Sequence, residues 1–324
     1  MARKKASAGA LSRWRELLGS ARGRWLVRVA GTAVVLLAVG VVVRAARAQA
    51  YSMPGYRLTS ASLTIEGLPS WMDGRTRELF APRNLIRTTG RFSVSIYDPE
   101  AEGLIAERVE RHPLVARTTL VHLRYPHDAT VRVQLREPVA SIAFGGAQGE
   151  ALVHLLAADH TLLPVAPYRA LLERRRRPLP VITGIGLRPP VRRSGDGWQI
   201  LVGRRWEDGE DDRVEEAVAA ALTAARIEED LGGRVWVRSV DVSRFTRTGR
   251  LRSDERRAEV QFEVVSPPER PGGPRAVRTV LWGRTSRAAH EVVGEDGFTR
   301  KLARLRAQLL RPNAPAVLEA RWDT

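Results

Sequence analysis

Cysteine is absent from the 324 residues. That removes disulfides, thiolate nucleophiles and cysteine-ligated metals, and it suits a compartment in which stray thiols would be oxidised. Lysine is scarce: Lys4, Lys5 and Lys301 are the whole complement, so the formal charge of +17 rests almost entirely on arginine. The arginines are scattered along the chain, which argues against the basic stripe of a nucleic-acid binder. The six histidines (His112, His122, His127, His154, His160 and His290) show no zinc spacing. No His-Glu-x-x-His, P-loop or Gly-x-Ser-x-Gly occurs. Gly184-Ile185-Gly186 lacks the third glycine of a dinucleotide loop and runs into prolines, not a helix. The expectation is a protein without catalytic residues, cofactor or metal. Arg174 to Arg177 read as a solvated loop, and Glu215-Glu216 and Glu228-Glu229-Asp230 as the wet face of a helix.

One long apolar run is present. Trp25 to Val43 is interrupted only by Arg28. Its uncharged part, Val29 to Val43, would be about 22 Å of helix, short for a hydrocarbon core of about 30 Å. Arg28 can snorkel to the headgroups, and Leu26 and Trp25 then lengthen the span. Arg3, Lys4, Lys5, Arg13, Arg15, Arg22 and Arg24 precede it against Glu16 alone, and Arg44 and Arg47 follow. The heavier positive flank predicts a cytoplasmic tail, 1–24, a membrane helix, 25–43, and an exported remainder. Ala48-Gln49-Ala50 matches a signal-peptidase pattern, but Arg44 and Arg47 stand between it and the apolar run. An anchor is therefore preferred to cleavage.

The exported part reads as α+β. After a linker, 44–58, alternation predicts a strand at Ser62 to Glu66. Asp98 and Pro99 open a helix with Leu104, Ile105 and Val109 on its apolar face, and His112-Pro113 close it. Arg117 to Arg124 and Thr130 to Leu135 form a hairpin around Tyr125-Pro126-His127-Asp128. Further strands are expected at 152–157, 161–165, 179–182, 235–242, 258–265 and 277–282, with a surface loop at 186–197. Helices are expected at Asp211 to Leu231, with Val214, Val218, Ala221, Leu222 and Ala225 inward, and at Phe298 to Leu310, with Leu302, Leu305 and Leu309 inward. Val317 to Trp322 is the last predicted strand, expected at a free sheet edge because the sequence stops two residues later.

The order of these elements and several short stretches resemble the bacterial cell-division family FtsQ, also called DivIB. The stretches are His112-Pro113-Leu114-Val115-Ala116, Tyr125-Pro126, and Arg136-Glu137-Pro138-Val139-Ala140. Further ones are Asp159-His160-Thr161-Leu162, Leu179-Pro180-Val181-Ile182-Thr183-Gly184, Leu281-Trp282-Gly283, Lys301-Leu302-Ala303-Arg304-Leu305 and Leu318-Glu319-Ala320-Arg321. Leu114 stands where the family has tryptophan, and Glu319 where it has aspartate. The resemblance implies a POTRA domain over 59–138 and an FtsQ-type β domain, 139–324, with helices on one face. It implies a non-enzymatic divisome scaffold in the inner membrane at the division septum. Its partners would be the single-pass proteins FtsB and FtsL, captured by strand addition.

The residues expected to carry that capture are Val317, Leu318, Glu319, Ala320, Arg321 and Trp322, with Trp322 as an anchor and Arg321 facing a partner carboxylate. Arg136 and Glu137 are expected as a surface charge pair. The competing readings are a POTRA-bearing chaperone or secretion component and a signal-cleaved exported binding protein. No strand series fit for an outer-membrane barrel follows residue 138.

Overall fold

The computed structural model describes residues 21–145, 151–186, 188–194, 197–206, 212–245, 258–268, 275–285, 297–309, 311 and 314–321. The chain is α+β with mixed sheets. Helix α1 (Ala21–Ser52) contains a 25-residue stretch, Arg28–Ser52, apolar and long enough to cross a membrane. It continues through residues read as linker from 44 onward. A 3₁₀ turn, Pro54–Tyr56, leads directly into β1 (Arg57–Thr59).

The first unit centres on a three-stranded sheet of order β2-β5-β4. Its strands are β2 (Leu63–Glu66), β4 (Val115–Arg124) and β5 (Asp128–Leu135), with β2 parallel and β4 antiparallel to β5. Val131, Val133 and Leu135 alternate inward, as their period-2 spacing requires. β1 pairs separately with β3 (Ser93–Ser95). Helices α2 (Gly74–Arg77), α3 (Pro82–Thr89) and α4 (Ala101–Glu110) complete the unit. Asp73 caps α2 by accepting from the Thr76 N–H at 2.7 Å. α4 starts later than its Asp98-Pro99 signal, and it buries Ala101, Ile105 and Val109 while Leu104 faces out.

The second unit is an eight-stranded sheet of order β15-β14-β13-β12-β9-β6-β7-β8. Its strands are β6 (Pro138–Gly145), β7 (Ala151–Ala157), β8 (Leu162–Leu163), β9 (Val181–Thr183), β12 (Trp236–Asp241), β13 (Gln261–Pro268), β14 (Arg275–Leu281) and β15 (Val317–Glu319). Within the expected loop at 186–197, Val191–Ser194 forms β10 and pairs with β11 (Gly197–Ile200). A short helix, α5 (Arg169–Arg174), precedes β9.

Helices α6 (Arg213–Asp230) and α7 (Phe298–Leu309) share one core with the sheet. On α6 the buried face is Val214, Ala217, Val218, Ala221, Ala224 and Ile227; Leu222 and Ala225, expected inward, are exposed. Glu216, expected on the wet face, is buried, and Glu228 is half-buried, accepting from the Val237 N–H at 2.9 Å. On α7 only Leu305 and Lys301 are buried outright, while Leu302 and Leu309 are half-buried.

The buried residues form two clusters, and chain of the second unit contributes to both. Leu155 and Leu163 belong to the core of the first unit, whereas their neighbours Leu156 and Leu162 belong to the second. A strand's alternation thus sends one residue to each side. Ala157, Tyr168 and Leu179 also pack on the first unit, across the division expected at residue 138.

Arg136 locks this junction. Its guanidinium bonds Asp159 at 2.7 Å and the carbonyls of Pro113 and His112 at 2.9 and 3.3 Å. The Tyr168 hydroxyl donates to the Arg136 carbonyl at 2.7 Å. Arg136 is therefore not in a surface pair with Glu137: its half-buried guanidinium is taken up by Asp159 and two carbonyls, while Glu137 is exposed. Gly203, at φ +79°, lies so close that a Cβ there would sit 2.4 Å from the Pro113 ring.

Candidate partner-binding edge

The two ends of the large sheet differ. Beyond β8, chain covers the edge: Leu162 N–H donates to Arg204 C=O, Gly203 N–H to Leu162 C=O and Trp206 N–H to His160 C=O. At the other end, among the described residues, β15 pairs with β14 alone, in parallel, with Thr279 opposite Val317, Val280 opposite Leu318 and Leu281 opposite Glu319.

That register decides which groups point outward. Ala316 C=O accepts from Thr279 N–H at 2.9 Å, and Ala320 N–H donates to Leu281 C=O at 3.1 Å. A parallel ladder with those bonds turns both main-chain groups of Leu318 toward β14 and those of Val317 and Glu319 away from it. Glu319 C=O is already taken by Gln308 Nε2 on α7, at 2.8 Å. Among the described residues, the Val317 N–H and C=O and the Glu319 N–H have no partner.

Side chains follow the same alternation. Leu318 and Ala320 are fully buried, and Val317 is 53% exposed. Arg321 does not reach outward for a partner carboxylate, as expected of it. It is buried and bonds Glu319 with Nε–Oε1 at 2.9 Å and Nη2–Oε2 at 2.8 Å. Two residues apart, at and just beyond the end of β15, the pair bonds within the chain. Trp322 lies outside the described residues.

Helix α7 supports this edge from below. Lys301 Nζ donates to Arg284 C=O at 2.9 Å, Arg304 Nη1 to Ala320 C=O at 2.9 Å, and Gln308 to Glu319 C=O. Beside it lies a buried polar cluster. Arg284 is bonded to Glu259, and Glu216 accepts from the Thr285 N–H at 2.8 Å and hydroxyl at 3.1 Å. Burial raises the Glu216 pKa; the Thr285 bonds and nearby Arg284 oppose that without cancelling it.

Sequence reasoning missed this cluster because its members come together from residues 216, 259, 284–285 and 301. One signal was available: Lys301 precedes Leu305 by four residues and so falls on the helix's inward stripe. The Arg174–Arg177 run splits: Arg174, Arg175 and Arg176 are exposed, whereas Arg177 lies 5.1 Å from the Trp236 ring and donates to Val235 C=O. Among the described residues, no group of three or more acidic or histidine side chains could hold a metal. The chain matches no protein-family model and no curated protein.

Proposed function

We propose that this chain is a non-catalytic membrane scaffold of the FtsQ type. On this reading α1 anchors it in the inner membrane with the basic tail in the cytoplasm, the first unit is a POTRA domain, and β15 receives a strand from an FtsB- or FtsL-like partner at the division septum. The carrying observation is the contrast between the sheet's ends: one closed by residues 203–206, the other presenting outward Val317 and Glu319 groups. Strand addition uses such groups. The continuous helix through Ala48-Gln49-Ala50 favours an anchor over a cleaved signal, since proteolysis prefers exposed irregular chain.

The test is a fluorescent fusion to the N-terminus in dividing cells, combined with co-purification of the FtsB- and FtsL-like proteins. A midcell band with intact fusion and recovered partners supports the proposal. Uniform envelope fluorescence with no partners recovered rejects the division role, and a tag severed near Ala50 rejects the anchor.

A further inference from the structure

We infer that an aromatic tip of the first unit, formed by Tyr56, Tyr97 and Tyr125, rests in the phospholipid headgroup layer beside the span. The inference depends on α1 being a membrane helix, and it adds a second, peripheral contact between the folded unit and the bilayer.

Three separate segments build the tip. Tyr56 follows α1, Tyr97 follows β3, and Tyr125 lies in the β4–β5 turn. The Tyr56 ring lies 5.3 Å from Tyr97 and 5.4 Å from Tyr125, and the Tyr56 and Tyr125 hydroxyls are 3.0 Å apart. Yet the cluster is not a core: Tyr125 is 65% exposed, Tyr97 43%, and adjacent Met53 is exposed too. An apolar ring with a polar hydroxyl suits the membrane–water interface, where tyrosine and tryptophan gather.

The distance to the bilayer is set by hydrogen-bonded chain. Met53 N–H donates to Ala50 C=O, Tyr56 N–H to Met53 C=O, and Ile96 N–H to Tyr56 C=O. The helix thus passes through one 3₁₀ turn into the β1–β3 pair with no free linker. From Trp25 to Tyr51 the helix rises about 39 Å at 1.5 Å per residue, close to the 40–45 Å of a bilayer with its headgroups. With Trp25 in one interface, Tyr51 lies in the other; the 3₁₀ turn carries Tyr56 on by at most about 10 Å, and the tilt of about 20° usual for a span draws the resulting length of about 49 Å back to about 46 Å.

Charge around the tip is mixed. Arg57 and Arg124 stand against Asp98, Glu100 and Asp128, while Arg47 donates to the Tyr51 hydroxyl at 2.7 Å. Such a surface suits zwitterionic headgroups and does not require anionic lipid.

Because the chain has no cysteine, single-cysteine labelling of the full protein is clean. Met53→Cys, His127→Cys and Arg117→Cys variants carrying an environment-sensitive fluorophore are placed in phosphatidylcholine nanodiscs with headgroup-nitroxide lipid. His127 is beside the tip, whereas Arg117, opposite Gln134, lies about 23 Å up the hairpin at about 3.3 Å per residue. The expected result is quenching at 53 and 127 and none at 117. Adding Tyr97→Ser and Tyr125→Ser to the His127→Cys variant should reduce its quenching to the Arg117 level, with the circular dichroism spectrum unchanged. Quenching at 53 without quenching at 127, or quenching at 127 that survives the double substitution, overturns the headgroup docking while leaving the anchor intact. No quenching at 53, with extraction by carbonate, overturns the anchor itself.

Discussion

Proline substitution at two adjacent positions of β15 separates partner capture from fold stability. Val317 N–H points away from β14, so Val317→Pro removes a donor that only an incoming strand would use; proline is tolerated at an edge in that orientation. One lost main-chain hydrogen bond is worth about 1 kcal/mol net, which is about fivefold in affinity. Val317→Ala keeps the N–H and, being exposed, should change binding by about twofold or less. Leu318→Pro is different. It deletes the bond that the register assigns to Thr279 C=O and removes a fully buried leucine side chain, a loss of about 2–5 kcal/mol. The assay is titration of the purified chain with the proposed FtsB-like partner, beside thermal unfolding of each variant. Val317→Pro should weaken binding with an unchanged melting temperature, and Leu318→Pro should lower the melting temperature. Wild-type affinity in Val317→Pro would refute strand addition at this edge.

Three further perturbations test the interior. His112 is buried, and burial followed by repulsion from Arg136 lowers its pKa to about 4. The unfolded chain therefore binds a proton near pH 6.5 that the folded chain refuses; stability is full above that value and falls toward pH 4. At about 1.4 kcal/mol per unit the loss by pH 4.5 is about 2–3 kcal/mol, and urea titrations of His112→Asn should show a flatter pH profile over that window. Glu216 has a raised pKa, so its ionised form opposes folding as pH climbs above the ordinary carboxylate value. Glu216→Gln, which keeps an acceptor for Thr285, should melt at or above the wild-type temperature at pH 7, whereas Glu216→Ala should lose about 1–3 kcal/mol by stranding the Thr285 N–H. Arg136→Ala leaves the His112 and Pro113 carbonyls and Asp159 without their donor and should cost about 2–3 kcal/mol in denaturant unfolding.

Much of the element order was legible because it rests on local rules. Period-2 stretches gave the β4–β5 hairpin and most strands of the large sheet, and α6 ends within one residue of the expected Leu231, just before two glycines, Gly232 and Gly233, that halt a helix. The departures come from tertiary demands. Val191–Ser194 pairs with Gly197–Ile200 although the composition up to residue 197 reads as loop, since pairing depends on two segments meeting rather than on either one's propensity. Leu222 is exposed although its type says inward, because the face of α6 that meets the sheet is lined with alanines small enough for close approach. Glu216 and Lys301 are inside because partners distant in sequence satisfy them, which no window along the chain can reveal.

The same distinction explains how the edge is held. Lys301, Arg304 and Gln308 recur at i, i+3 and i+7, so one stripe of α7 presents three long polar side chains to the strand end. Each donates to a main-chain carbonyl beyond β14 or at the end of β15. Leu318 and Ala320 fix the strand from the core side, and the Glu319–Arg321 pair fixes it along its own length. A three-residue strand so restrained has its conformation ordered before any partner arrives, which lowers the entropy that strand addition must overcome. The Gln308 bond also occupies one of the outward acceptors, so an incoming strand either stops at Val317 and the Glu319 N–H or displaces that amide. Gln308→Ala releases the carbonyl but loosens the edge. The two effects oppose each other in affinity, yet not in kinetics: a loosened edge slows association, whereas a freed acceptor slows dissociation. Measuring both rate constants for Gln308→Ala with the same partner therefore tells whether α7 acts on this edge mainly as a brace or as a blocker.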